Sequence, residues 1–229
     1  MGTFRHHDLV CLASWARRGM LVQVLGGEGA WPKDEVRRLV TDGYDGVMVP
    51  GIVRRQEERA KGLCIGLSSP YRCDGMRLRV SASVPRSGVT LVRDPYQVAG
   101  LATLDGHRPL PAFAALRACM RAARERQMVC GVFGSAALEL VTGLPYCHET
   151  SDVDVLVPYR DLDATLRFHE ALLDVEERLG IRVDAELELA DGFAVKLKEF
   201  CSDSGSVLAK GFNDVRLFSK EEAVVMNHR

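Results

Sequence analysis

Hydrophobic and polar positions alternate most regularly late in the chain, in IRVDAELEL. Ile181, Val183, Ala185, Leu187 and Leu189 fall on one side, and Arg182, Asp184, Glu186 and Glu188 on the other. Period two predicts a strand with one buried face. The Asp191-Gly192 pair that follows predicts a hairpin into GFAVKLKEF, with Lys196 and Lys198 on one face beside the acidic strand. SVLAK and VRLFS are short strands that extend or cover the same sheet. Upstream, the spacing changes to that of amphipathic helices in PAFAALRACMRAARERQ, SAALELVTG and YRDLDATLRFHEALLDVEERLG. Pro111 opens the first, Ser135 opens the second, and Gly143 and Gly180 close the second and third. MVCGVFG and SDVDVLVPY are apolar enough to be buried strands.

The first half is more mixed. GMLVQVL alternates weakly, and PKDEVRRLVTDG predicts a short helix between Pro32 and Gly43. YDGVMVPGIV reads as a strand, and GLCIGLSSPYRCDGMRLRVSASVP as two strands around a turn containing Pro70 and Asp74-Gly75. DPYQVAGLATLDGHRPLP carries Pro95, Gly100, Gly106, Pro109 and Pro111 and is the candidate linker. It divides the chain into a smaller N-terminal α/β domain, residues 1–95, and a C-terminal domain, residues 96–229. The expected class is α+β.

Composition narrows the function classes. The 229 residues are 47% hydrophobic and 27% charged, enough for a substantial core. A net charge of −1 argues against a broad nucleic-acid footprint, so phosphate binding has to be local. No apolar run reaches ~18 residues, and MGTFRHHDLVCLASWARRGM lacks the order of a signal peptide. Met1-Gly2 is not followed by a serine or threonine where a myristoylation signal wants one. These features predict a cytoplasmic protein without a membrane partner. Seven scattered cysteines, none in C-x-x-C spacing, predict small buried hydrophobes rather than a zinc site or a disulfide framework.

The chemistry concentrates in GVFGSAALELVTGLPYCHETSDVDVLV. Asp152 and Asp154 are two residues apart on a strand, so their carboxylates share a face. Two anions that close repel, and a hard divalent ion resolves the conflict while leaving positions for water and phosphate. A third carboxylate comes from the later acidic strand, Asp184 ahead of Glu186. Glu186 and Glu188 also fit the role of solvent-facing acids. Gly134 and Ser135, between a strand and a helix, supply an anion-binding turn. A phosphate cradle beside a carboxylate-held metal suits displacement at phosphorus.

The order of these motifs resembles the nucleotidyltransferase superfamily of polymerase-β type, with Gly134, Ser135, Asp152 and Asp154 at its motif positions. The chain is more closely similar to the phosphoribosyl-dephospho-CoA transferases, the holo-acyl-carrier-protein synthases of malonate decarboxylase. The likeness runs through RHHDLV, VRRQ at residues 53–56, FGSAALELVTGLPY with SDVDVLV, and VDAELELADGFAVKLKE. It departs at Ala185, where the family has glycine, in the extra histidine of RHHDLV, and in KLKE, where an aromatic and an arginine are usual.

The resemblance implies a C-terminal nucleotidyltransferase-type mixed sheet flanked by helices. It implies transfer of 2′-(5″-triphosphoribosyl)-3′-dephospho-CoA to a serine of the acyl-carrier subunit of malonate decarboxylase, with release of pyrophosphate. Asp152, Asp154 and Asp184 would hold Mg²⁺, or Mn²⁺ in its place, and one of them would serve as base. Gly134 and Ser135 would hold the triphosphate. Of the adjacent Arg54 and Arg55, Arg54 is the candidate to reach a phosphate. Lys196 either neutralises pyrophosphate or pairs with Glu186 across the hairpin. His6 and His7 receive no catalytic role, and the N-terminal half is expected to recognise the carrier protein or the CoA arm. A generic adenylyltransferase, a synthase loading the citrate lyase carrier protein, and a non-catalytic scaffold are the competing readings.

Overall fold

In the computed structural model, which describes residues 3–27, 31–58, 60–73, 75–102 and 108–226, the chain forms two β-sheets in succession. The first combines β1 (Leu9–Leu12), β2 (Gly51–Val53), β3 (Leu63–Cys73), β4 (Met76–Val84) and β5 (Val89–Arg93). Their order is β4-β3-β2-β1-β5, antiparallel throughout. Leu63, Ile65, Leu67, Leu78 and Val84 are buried, and α1 (Ser14–Gly26) packs on β4. GMLVQVL belongs to α1 and is not a strand. Met20, Leu21, Val24 and Leu25 recur at helical spacing and form the face turned to the core.

α2 (Lys33–Arg37) continues through a wide turn at Arg38–Asp42 and stops at Gly43, as Pro32 and Gly43 predict. Of YDGVMVPGIV only Gly51–Val53 is strand. Asp45 and Gly46 have positive φ and fold a tight turn, across which Tyr44 and Val47 exchange backbone hydrogen bonds of 2.9 and 2.8 Å. Pro70 lies within β3, where the β3–β4 ladder shifts register between Ser68 and Arg72. Asp74 of the expected turn, Gly106 of the expected linker and residues 1–2 lie outside the described residues. The rest of the linker stretch is not featureless. Pro95–Leu101 form α3, whose N-terminus is closed by Asp94 accepting from the Gln97 amide at 2.7 Å.

The second sheet contains β6 (Gly131–Phe133), β7 (Val153–Pro158), β8 (Val183–Glu188), β9 (Ala194–Lys196), β10 (Ser206–Lys210) and β11 (Val215–Ser219). Its order is β11-β10-β9-β8-β7-β6, with β7 and β8 parallel and the other neighbours antiparallel. This mixed sheet with its helices makes the chain α+β. α4 (Pro111–Glu125) packs on β7 and on α6 (Leu162–Leu179). Val153, Val155, Val157, Val183 and Leu187 are buried, and Phe168 of α6 is completely so. Burial of a side chain like Phe168 contributes about 2–3 kcal/mol. α6 starts where Asp161 accepts from the Ala164 amide at 2.7 Å and ends at the left-handed Gly180.

α5 (Gly134–Thr142) follows β6 without a break, α7 (Leu197–Phe200) follows β9, and α8 (Lys220–Met226) follows β11. The expected strand through KLKE is therefore three residues long and turns helical at Leu197. The two sheets are stitched together by a 2.7 Å bond from the Gln56 amide to the Phe212 carbonyl and a 2.8 Å bond from the Tyr146 hydroxyl to the Ser68 carbonyl. No helix among the described residues is long and apolar enough to cross a membrane.

Candidate active site

The apolar valines of β7 and β8 turn toward the helices, so alternation turns the acids to the opposite face. Register then sorts those acids into rows. Phe133, Asp154 and Asp184 form one row across β6, β7 and β8. Gly131, Leu156, Glu186 and Lys196 form the next. Glu188 and Ala194 pair in a third, beside Pro158 and Lys210. The acidic strand is central, not outer, which is why Glu186 is only 4% exposed instead of solvated.

Asp154 sits against the start of α5. Gly134 has φ +66°, and a Cβ there would overlap Asp154 Oδ2. Only glycine allows this close approach in this backbone conformation. The carboxylate side and the Gly134 and Ser135 turn are thus one site. Ser135 does not cap α5; the N-cap position is Phe133 and no side chain fills that role. Its hydroxyl is 3.4 Å from Arg77 Nη1 instead.

Burial, reinforced by the charges of Asp152 and Asp184, pushes the Asp154 carboxyl up to about 7, against the pull of Lys196. Asp152 precedes β7 and is turned to Arg182 at 2.8 Å. Asp184 is turned to Lys196 at 2.7 Å, and the same ammonium reaches Glu186 at 3.0 Å. Burial would lower Lys196, but these two carboxylates hold it above its ordinary value. Asp152, Asp154 and Asp184 are hard donors of the kind a divalent ion takes, but Arg182 and Lys196 hold two of them, and the oxygens of the three do not all come within 4.8 Å of one another.

The histidines lie on the same face. The Arg5 amide donates to Asp8 Oδ2 at 2.8 Å and the Asp8 amide to the Arg5 carbonyl at 3.3 Å, closing a tight turn that carries His6 and His7. His7 stacks on Phe133 with ring centroids 3.8 Å apart, and its Nε2 is 2.9 Å from Glu186 Oε2. Burial alone would raise Glu186, but the His7 hydrogen bond and the charges of His7 and Lys196 hold it down at about 2. Burial, helped by the neighbouring His7, Lys210 and Arg55 and opposed by the charge of Glu186, pushes His6 down to about 4. His6, His7 and Glu186 are the one trio among the described residues with donor atoms mutually within 4.8 Å. The surrounding cations and the engaged Glu186 oxygens leave that trio unsuited to a further positive ion. Farther along, Glu188 accepts from Tyr96 Oη at 2.7 Å and from Arg5 at 3.5 Å. The N-terminal segment therefore covers the second and third rows.

Across the cleft, the first sheet presents cations. Arg54 and Arg79 line a 420 Å³ cavity together with Gly134 and Ser135. Of the predicted residues, Arg54, Gly134 and Ser135 line this cavity, Asp154 packs against Gly134, and Asp152 borders an adjoining cavity with Ser135, while Asp184 and Lys196 pair with each other and line neither. Lys198, expected beside Lys196, sits on α7 and pairs with Glu176 at 3.1 Å, because the chain turns helical after Lys196. Sequence reasoning missed His7, Arg77 and Arg79. The alternation of arginine with Leu78 and Val80 in MRLRV was a signal for a cationic strand face, but not for what that face meets.

Fold and site together define an α+β protein in which the second sheet carries acids packed beside a Gly-Ser turn, and the first sheet brings arginines to that turn. Residues 5–95 match the family model described as the phosphoribosyl-dephospho-CoA transferase MdcG N-terminal domain, and residues 98–221 match the model of the MdcG C-terminal domain. The chain belongs to the phosphoribosyl-dephospho-CoA transferase family, a family of enzymes. It is 36% identical over 172 residues to a phosphoribosyl-dephospho-CoA transferase of Azotobacter vinelandii, covering 73% of this chain and 77% of that protein. It is 30% identical over 179 residues to one of Xanthomonas axonopodis pv. citri, covering 77% and 76% respectively. A third, from Xanthomonas campestris pv. campestris, is 39% identical over 117 residues, 50% of this chain and 54% of that protein. No solved structure matches the chain.

Proposed function

We propose that the protein transfers 2′-(5″-triphosphoribosyl)-3′-dephospho-CoA to a serine of the acyl-carrier subunit of malonate decarboxylase. The serine Oγ attacks the phosphorus attached to the ribose, a phosphodiester forms, and the bond to pyrophosphate breaks. One of the three carboxylates takes the serine proton. Asp152, Asp154 and Asp184 would hold Mg²⁺, which supplies charge neutralisation at the reacting phosphate. Gly134 and Ser135 present amides and a hydroxyl to the phosphate chain, with Arg54 facing them across the cavity. Lys196 holds Asp184 and Glu186 in place. The observation that carries the reading is the packing of Asp154 against Gly134, which joins the acid cluster to the anion turn.

The test is incubation of the protein with the purified acyl-carrier subunit, Mg²⁺ and the triphosphoribosyl precursor. Mass spectrometry should show the carrier heavier by the prosthetic group, with pyrophosphate released in equal amount and both lost in EDTA. Parallel reactions with ATP, and with the citrate lyase carrier, should give neither. Pyrophosphate release from ATP with a modified carrier would replace this reading with adenylyl transfer.

A further inference from the structure

We infer that the cleft face of the N-terminal sheet is a polyphosphate-binding surface, in which Arg54, Arg77 and Arg79 grip a linear phosphate chain against Ser135. This extends the reading of the cleft as a site of transfer at phosphorus and rests on it for the identity of the natural anion. Alternation along β4 buries Leu78 and Val80 and sends Arg77, Arg79 and Ser81 to the opposite face. Arg77 crosses to the second sheet's side. Its Nη2 donates to the Tyr146 carbonyl at 2.7 Å, and its guanidinium lies 5.3 Å from the Tyr146 ring centroid. Arg79 and Ser135 border two adjoining cavities. One, of 420 Å³, holds Arg54; the other, of 570 Å³, holds Arg72 and Arg77 and reaches Asp152. Gly66, having no side chain, leaves room for Arg54 to lie across β3 toward the first cavity.

The charge on this wall is uncompensated. Among the described residues, none of Arg54, Arg77 and Arg79 forms an ion pair, whereas Asp152, Asp184, Glu186 and Lys196 on the other sheet do. Arg72 and Arg79 both bear on Arg77 as like charges. Guanidinium groups without carboxylate partners, around cavities that the Ser135 hydroxyl also borders, offer the planar fork geometry that matches phosphate oxygens, and the one carboxylate there, Asp152, is paired with Arg182. Asp152 borders the larger cavity and Asp154 packs against Gly134, next to Ser135, so a phosphate chain along the arginines would end near these two carboxylates. This assigns the N-terminal half to holding the phosphates, in place of the carrier protein or the CoA arm.

The probe is inorganic tripolyphosphate, titrated calorimetrically into the full chain in EDTA, so that metal binding plays no part. Wild type should bind. Arg54→Ala and Arg79→Ala should each weaken binding roughly tenfold, the scale of one charge-assisted contact. Arg124→Ala, on the exposed face of α4, should leave it unchanged, and Asp154→Asn should bind at least as tightly as wild type. Thermal melts identify any variant that fails to fold, and both test arginines are exposed. Absence of binding by wild type, or equal affinity in wild type, Arg54→Ala and Arg79→Ala, overturns the inference. Arginine-dependent binding without carrier modification in the transfer assay would leave this surface standing and remove the proposed reaction. Carrier modification with an unchanged KM for the donor in Arg79→Ala would do the reverse.

Discussion

Asp154 packs directly against the backbone of Gly134, which holds a φ of +66° and has no space for a Cβ. Gly134→Ala therefore does two things at once. It strains a left-handed position by about 1–3 kcal/mol, and it drives the Asp154 carboxylate from its place. The expected result is a folded protein with transfer reduced about a hundredfold, the scale of a 1 Å displacement of a catalytic group. Steady-state rates beside a thermal melt check it. Near wild-type turnover in the variant would mean that Asp154 does not need this position.

His7 and Glu186 tie the N-terminal segment to the acidic face, at 2.9 Å and with both side chains largely buried. His7→Ala removes that partner and the stacking on Phe133, leaving Glu186 with Lys196 alone. The loss should be about 2 kcal/mol of stability, read from the midpoint of a urea titration. His7→Gln, which keeps a donor but not the ring, should recover part of it. Unchanged midpoints for both variants would show that the contact contributes nothing.

The second sheet was largely legible in sequence and the cleft was not, for one physical reason. β8 announced itself because its neighbours on both faces demand opposite polarities from adjacent residues, and α6 because its apolar residues recur at helical spacing up to Gly180, a signal that acts within one turn. Asp152 and Asp154 could be paired with Gly134 because a strand, a turn and a helix follow each other directly. Arg77 and Arg79 matter through a meeting of two sheets, and nothing within a few residues encodes that meeting. His7 is similar: its contact with Glu186 depends on a partner 179 residues away. GMLVQVL misled because four apolar residues at helical spacing also read as weak alternation over so short a window.

Arg108 and Glu139 form a two-pronged pair at 2.8 and 2.7 Å that also fixes Cys147, through its carbonyl to Arg108 at 2.7 Å and its amide to Glu139 at 2.7 Å. The pair fastens the loop after α5, and with it Tyr146 and the arginine that bonds there. Arg108→Ala leaves Glu139 buried without its cation and should cost about 2 kcal/mol, short of the full penalty because Arg108 is partly exposed. A second readout is chemical. Cys147 is buried, and that burial pushes its thiol up to about 12, so it should resist thiol reagents in the wild type. Labelling of Cys147 should accelerate roughly tenfold or more in the variant as the loop opens. A slow, unchanged labelling rate would show that the loop is held by other contacts.

Asp8 is almost completely buried, and its Oδ1 has no hydrogen-bond partner among the described residues. Burial is the main cause that pushes its carboxyl up to about 6, opposed by the hydrogen bond from the Arg5 amide. A carboxyl with a raised value binds its proton more tightly in the folded chain than in the unfolded one. Its contribution is therefore fully present below the ordinary value of about 3.8 and is lost as pH rises through about 6. Above that, the folded protein carries a buried anion in the turn that presents His6 and His7. Asp8→Asn keeps an oxygen to accept from the Arg5 amide and removes the titration. Measured from pH 4 to 7.5, the stability of wild type relative to this variant should fall by on the order of 2 kcal/mol. A constant difference across that range, or one that grows in favour of wild type with rising pH, would show that Asp8 remains ionised in the folded state and finds its compensation elsewhere.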